Sequence, residues 1–363
     1  MKPRSIAVAI ACGAVGAVAG LAAVAGVIYR KQIKSAASLK RLTDYADGYD
    51  LYAIDIVYDY DLDRIIAADV RDDQAYIDAA VAQVLPGVPA HVRAPQFACS
   101  AFAAVDAEGR VRTGRNYDFK DDTSALLVRN YPRGDYASIG FAALNNLSAN
   151  APLDSVAGRA AALMGPFAQL DGVNECGVSI AVLTLDSKPC DQDTQRPVIN
   201  TSLAIRLVLD RAATTQEAVD LLSAYDMHAM AGRDYHFFIN DAAGDARVVE
   251  WDPRDPDRAC KATPVRQVTN FYACYADEVL PNQKNGELGH GKERALAIAD
   301  VLDAHAGAQD EAVAWKALRA AAQEPNPEDV TSNTQWSVVF DNTEPAAAIT
   351  LRRHWGDVDA FAL

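Results

Sequence analysis

The chain has 363 residues, half of them apolar, with a net charge of −15 and a pI near 4.8. This length can bury a sizeable core in one large domain or two ordinary ones, and the acidic balance excludes an extended nucleic-acid surface, which needs clustered Lys and Arg. Six cysteines (Cys12, Cys99, Cys176, Cys190, Cys260 and Cys274) are too sparse for a disulfide scaffold and contain no C-x-x-C pair, so neither a zinc ribbon nor a thioredoxin-type site is expected.

Residues 1–34 read as a separate object. Lys2 and Arg4 precede an uncharged run over 5–29, rich in Ala and Gly, and Arg30, Lys31 and Lys34 follow it. Such a run is long enough to span a bilayer as a helix. Ala23-Val24-Ala25 is also a small-residue pattern of the kind that signal peptidase cleaves. The segment is expected to be a signal peptide or a membrane anchor, with the body of the chain exported or held at the membrane on the extracytoplasmic side. Residues 35–98 follow, dense in Asp and Tyr, helical in apolar spacing toward their end, and closing on the Pro-rich linker PGVPAHVRAP. They read either as a helical subdomain or edge meander packed on the main body, or as a propeptide.

From Cys99 onward strand pairs and helices alternate. Cys99 to Val105 and Arg110 to Tyr117 form a hairpin around Asp106-Ala107-Glu108-Gly109, and a turn centred between Ala107 and Glu108 sets Cys99 opposite Asn116. Further hairpins are expected over 170–185, turning at Asn174 to Gly177, over 234–252, turning at Asp241 to Gly244, and over 334–354, turning at Asp341 to Glu344. Two amphipathic helices fill 200–225, with a cap at Thr214-Thr215-Gln216-Glu217, and KERALAIADVLDAHA is a third. Antiparallel strand pairs with helices inserted between them place the chain in the α+β class.

Cys99 is the candidate for chemistry; by its local context alone it also reads as a buried structural cysteine, with Arg115 and Asp118 an ordinary cross-hairpin ion pair. The hairpin puts its thiol beside Arg115 and Asp118, and a thiol nucleophile needs a base and a positive field. His91, His228, His236, His290, His305 and His354 sit in contexts that read as surface or satisfied core imidazoles. A base can be supplied instead by making Cys99 the first residue of the chain, because a free α-amine has a pKa near 7.7–8.0 and can accept the thiol proton. Cys99 follows Ala98, so cleavage must uncover it, and this is what gives the propeptide reading its reason.

The pattern resembles the choloylglycine hydrolase family of N-terminal-nucleophile (Ntn) hydrolases, which includes bile salt hydrolases and penicillin V acylases and has acid ceramidase among its relatives. Cys99-Ser100 stands where the family has C-[TS], and GRNYDF supplies its G-R-N-x-D. DGVNECGVSIAVLTL is similar to its D-G-x-N-E-x-G segment, VTNFYAC to its V-x-T-N segment and GKERALAI to its S-R-F segment. The likeness runs from about 99 to 354. It implies an αββα sandwich of two antiparallel sheets between helical layers over 99–363. The implied activity is hydrolysis of linear carbon–nitrogen bonds in small N-acyl amides, without metal or cofactor, by a homo-oligomer. Cys99 would be the nucleophile, with Arg115, Asp118, Asn270 and Arg294 around it. Asn270 would donate to the oxyanion, with Thr184 or a nearby backbone N–H beside it, and Asp118 would orient the α-amine.

Two positions depart from the family pattern. Thr184 stands where the family has Asn or Tyr, and 98 residues precede the cysteine, as in the acid ceramidase branch, whose internal Cys is exposed by self-cleavage. Cys176, Cys190, Cys260 and Cys274 read as structural, with Cys260 and Cys274 a candidate disulfide if the protein is exported. Two other functions fit the sequence: an acyltransferase on the same fold, and a non-catalytic membrane-anchored binding protein.

Overall fold

The structure, a computed structural model, describes residues 29–68, 70–85, 98–147, 153, 155–282, 288–326 and 333–363. Residues 5–28 of the apolar run and 86–97 of the linker lie outside them. Among the described residues no helix is long and apolar enough to cross a membrane.

The N-terminal block forms α1 (Arg30–Ser38), β1 (Lys40–Arg41), β2 (Leu51–Ile56), α2 (Leu62–Ile66) and α3 (Asp73–Val84). Asp72 caps α3, its carboxylate accepting from the N–H groups of Gln74 and Ala75. The hairpin β3 (Ala98–Val105) and β4 (Val111–Asp118) comes next, then β5 (Ala125–Asn130), β6 (Ser138–Ala143), α4 (Val156–Ala162), β7 (Gln169–Asn174), β8 (Ser179–Leu185) and β9 (Val198–Asn200). Two helices, α5 (Thr201–Arg211) and α6 (Thr215–Ser223), lead to β10 (Asp226–His228), β11 (Asp234–Asn240), β12 (Ala246–Trp251), β13 (Cys260–Pro264) and β14 (Gln267–Val268). The chain ends with α7 (Ala276–Asn282), α8 (Lys292–Ala304), α9 (Glu311–Ala321), β15 (Thr334–Asp341), β16 (Ala346–Leu351) and β17 (Asp359–Ala362).

Two large sheets result. One has nine strands in the order β1-β2-β5-β6-β7-β8-β11-β12-β13, and the other six in the order β14-β3-β4-β15-β16-β17. Helices α5 and α6 pack on the first; α8 and α9 pack on the second and close a core of Phe102, Ile298, Leu302, Leu318 and Val339 on its outer face. The expected αββα sandwich is therefore present. The expected hairpins and helices fall where the sequence put them, with Thr214 Oγ1 accepting from Glu217 N–H to cap α6. These two sheets are antiparallel except where β2 runs parallel to β5, with Leu51 opposite Ala125 and Ile56 opposite Asn130, and β9 and β10 form a separate parallel pair.

Two expectations need correction. Cys99 faces Tyr117, not Asn116, and Ala101 faces Arg115. The turn is one residue longer than expected: Asp106 Oδ1 accepts from the N–H of Arg110 at 2.8 Å and of Glu108 at 3.1 Å, and Gly109 takes φ +82° to close it. A one-residue slip changes which side chains share a face. In the observed register Cys99, Ala101, Arg115 and Tyr117 share the inner face. Cys260 and Cys274, for their part, are free thiols: Cys260 lies beside Ser223, and Cys274 is tied by its N–H to Glu250.

The N-terminal block is built into the core. Leu51, Ile54 and Ile56 are fully buried in the same apolar cluster as Cys99 and Tyr117. Tyr58 donates to Leu163 O at 2.5 Å, and Tyr60 donates to Asp210 Oδ2 at 2.8 Å. Asp210 also pairs at 2.7 Å with Arg206, which is itself wholly buried and donates to Gln169 and Ser138. Breaking such a pair leaves an uncompensated buried charge and costs about 3–5 kcal/mol. Asp210→Ala is expected to lower the urea midpoint by that loss divided by the slope, the slope itself unchanged, measured by equilibrium unfolding.

Candidate active site

Cys99 is the second residue of β3, with its thiol fully buried between the two sheets. On the same face Arg115 reaches back, its Nη2 donating to Cys99 Sγ at 3.4 Å and to Val182 O at 3.2 Å. The guanidinium is held from behind by Asp171, whose Oδ2 lies 3.1 Å from Arg115 Nε and 3.2 Å from Trp336 Nε1. Tyr117 and Trp336 stack at 4.1 Å between ring centroids and lie 5.0 and 5.7 Å from the guanidinium carbon. Arg115 is thus a fixed positive charge, flanked by aromatic rings and aimed at sulfur.

The Cys99 nitrogen points elsewhere. Its N–H donates to Asn270 Oδ1 at 2.9 Å, and that oxygen also accepts from Arg294 Nη2 at 2.8 Å. Arg294 Nη1 donates to Cys99 O at 2.7 Å and lies 3.3 Å from Asp118 Oδ2. Asn270 Nδ2 donates to Thr184 O at 2.7 Å. Cys99, Arg115, Asp118, Thr184, Asn270 and Arg294, far apart in sequence, therefore meet in one buried constellation.

In the intact chain three of these residues make contacts that the resemblance does not by itself imply. Asp118 does not receive the Cys99 N–H. Its carboxylate is clamped by Arg294, by Gln323 Nε2 at 2.8 Å and by Thr334 Oγ1 at 2.6 Å. Thr184 enters through its carbonyl, an acceptor, and its hydroxyl is buried without a hydrogen-bond partner among the described residues. Asn270 uses its oxygen to hold the Cys99 nitrogen, which leaves one of its two Nδ2 hydrogens for a further acceptor.

Several members of the site were not singled out in the sequence. Asp171 lies inside the DGVNECG segment, but a strand carboxylate carries no local sign of its partner. Gln323, Thr334 and Trp336 reach the site only through the packing of β15 and the residues just after α9, so nothing near them in sequence announces it.

Burial dominates the titration of these groups. It pushes the Cys99 thiol up to about 12, against the pull of Arg115, so the thiol stays protonated at neutral pH in the intact chain. Burial also raises Asp118, opposed by Arg294, and lifts Asp171 to about 6, opposed by Arg115.

The model of the family described as acyl-coenzyme A:6-aminopenicillanic acid acyl-transferase matches residues 105–354, a span holding every residue of the constellation except Cys99. No curated protein matches the sequence. Among solved structures, penicillin V acylase from Agrobacterium tumefaciens aligns with TM-score 0.51 and 19% identity over 70% of this chain and 83% of its own. Two variants of conjugated bile acid hydrolase from Clostridium perfringens align with TM-scores of 0.55 and 0.56, each at 14% identity over 73% of this chain and 92% of theirs. These likenesses show the fold.

Asp171 gives a pH signature with a defined sign. Raised to about 6, its pKa lies above the ordinary aspartate value of about 3.9, so between those values the native state binds more protons than the unfolded one, and stability falls as pH rises through that window. Asp171→Asn should lack this increment. Melting temperatures of the two proteins across pH 4 to 7 check it, and a difference that stays flat with pH contradicts it.

Proposed function

Because the chain belongs to the acyl-coenzyme A:6-aminopenicillanic acid acyl-transferase family, with the resemblance to the choloylglycine hydrolase Ntn enzymes holding in both fold and family, we propose that it hydrolyses a linear amide of an N-acyl compound through Cys99. The observation that carries this reading is the division of labour at one residue. The Cys99 nitrogen is 2.9 Å from Asn270 Oδ1, while its sulfur is 3.4 Å from a buried guanidinium.

In the intact chain that nitrogen is a peptide nitrogen and has no basicity. Cleavage of the Ala98–Cys99 bond turns it into an α-amine already held by Asn270, with a pKa in the range of a general base at neutral pH. The amine takes the thiol proton, and Arg115 holds the thiolate. Sulfur attacks the amide carbonyl carbon and the carbonyl oxygen gains the charge. The remaining Asn270 Nδ2 hydrogen is suited to meet that oxyanion. Collapse breaks the carbon–nitrogen bond, and the α-ammonium gives its proton to the departing amine. Water then attacks the thioester, releasing the carboxylate and restoring the thiol.

Residues 35–98 fit a segment that stays in place after cleavage, since β2 sits in the nine-stranded sheet and Tyr60 in the Arg206–Asp210 network. On this reading residues 5–29 direct or anchor the protein so that the hydrolase works on the extracytoplasmic side.

A second reading is acyl transfer, in which an amine rather than water takes the acyl group from Cys99. It draws on the description of the matched family, whereas the structural neighbours are named an acylase and a hydrolase. Adding an amine acceptor separates the two: free carboxylate formed without it supports hydrolysis, and product that appears only with it supports transfer.

Intact mass and N-terminal sequencing should find a chain starting at Cys99 in the wild type, co-eluting with its N-terminal partner, and a single uncleaved chain in Cys99→Ala. Amide hydrolysis, assayed on penicillin V, a glycine-conjugated bile acid and N-acyl p-nitroanilides, should vanish in Cys99→Ala. Asn270→Ala should lower kcat about 10²–10³-fold, the typical effect of losing one oxyanion donor. An uncleaved wild type without activity on any of these amides sinks the reading.

A further inference from the structure

The segment that carries Asn270 is not held by a sheet. β14 ends at Val268, and residues 269–275 run on through a bridge and a short 3-10 turn. Buried backbone groups outside a ladder need other partners. Here a fully buried pair from the nine-stranded sheet supplies them, His236 on β11 and Glu250 on β12. His236 Nε2 lies 3.0 Å from Thr269 O, and His236 Nδ1 lies 3.2 Å from Glu250 Oε2. The same carboxylate accepts from the N–H of Ala273 at 3.0 Å and of Cys274 at 2.7 Å.

Thr269 O can only accept, so Nε2 carries a hydrogen and donates it. Nδ1 faces the carboxylate, which fixes the other edge of the ring. One imidazole and one carboxylate therefore grip the segment on both sides of Asn270, at the preceding carbonyl and at the third and fourth following amides. Around Asn270 itself, His290 N–H donates to its carbonyl at 2.7 Å, and Thr269 Oγ1 donates to Gly291 O at 2.9 Å at the start of α8.

We propose that His236 and Glu250 are positioning residues for the reaction, setting the place of the Asn270 amide between the Cys99 nitrogen and the oxyanion; this rests on the reading of Asn270 given above. The pair touches neither sulfur nor acyl group in the proposed mechanism. It acts by holding the Asn270 segment where a misplacement of about 1 Å can cost 10²-fold in rate.

The test uses the mature protein and an N-acyl p-nitroanilide, with wild type, Asn270→Ala, His236→Leu, His236→Gln and Glu250→Gln side by side. His236→Leu removes both ring contacts and should lower kcat about 100-fold with little change in KM. In His236→Gln one amide nitrogen can donate to both Thr269 O and Glu250, so most of kcat should return. Glu250→Gln keeps the shape but loses an acceptor, and should lower kcat as His236→Leu does. Alkylation of Cys99 by iodoacetamide needs the amine and the thiolate but develops no oxyanion, so it should fall much less than kcat in each variant. If alkylation falls in parallel with kcat, or if His236→Leu and Glu250→Gln keep wild-type kcat while Asn270→Ala does not, the positioning role is overturned. A wild type that does not turn over the anilide, or an Asn270→Ala variant with unchanged kcat, overturns the underlying reading and this proposal with it.

Discussion

One guanidinium joins the parts of this site. Arg294, near the start of α8, spreads two nitrogens over Cys99 O, the Asp118 carboxylate and Asn270 Oδ1. The strand of Cys99, its hairpin partner and the irregular segment after β14 thereby share a single planar group. A Lys could place its charge there but not a rigid fork of donors in fixed directions. The approach of α8 depends in turn on Gly291. A Cβ at that position would come within 2.5 Å of Thr269 Oγ1 and 2.7 Å of Arg294 Nη2, and its φ of +94° is one that glycine adopts at no steric cost.

Around that fork the site is a set of buried charges, each with an assigned partner. Asp118 has Arg294, Gln323 and Thr334; Asp171 has Arg115 and Trp336. Burying ions is costly unless they are paired and hydrogen-bonded. The thiol is the exception: burial favours its neutral form more than Arg115 favours the thiolate. The intact chain therefore holds the surroundings of a nucleophile around a group that stays protonated. What it lacks is a proton acceptor, and a new chain end at Cys99 would supply one without moving any side chain.

Much of the architecture was legible because hairpin turns announce themselves through local chemistry. Acidic residues before glycine at 106–109 and 241–244 marked turns that the structure contains. The register of β3 against β4 was not legible, since it hinges on the Asp106 side chain adding a residue to the turn through its own hydrogen bonds. The strand β2 was foreseen only as part of an edge meander, without bounds or partner, for a different reason. LYAIDI lies almost wholly buried in the sheet and beside a parallel neighbour, so it lacks the alternation that marks a half-exposed strand. Cys99, Arg115, Asp118, Asn270 and Arg294 were found from ordered motifs. Gln323, Thr334 and His236 were not, because their partners come from other parts of the chain and their neighbours in sequence are ordinary.

The place of β2 bears on how the protein is assembled. Its parallel partner β5 begins nearly seventy positions after β2 ends, and the Ala98–Cys99 bond lies between them. While that bond is intact, the pairing is an intramolecular loop closure, whose entropic cost grows only slowly with loop length. Were it cut, the same pairing would become an encounter between two molecules. Recovery from the unfolded state would then depend on protein concentration, and the lifetime of the native form would be set by its rate of unfolding more than by an equilibrium. A mature enzyme of this kind would be folded once, as a single chain, and afterwards kept rather than remade.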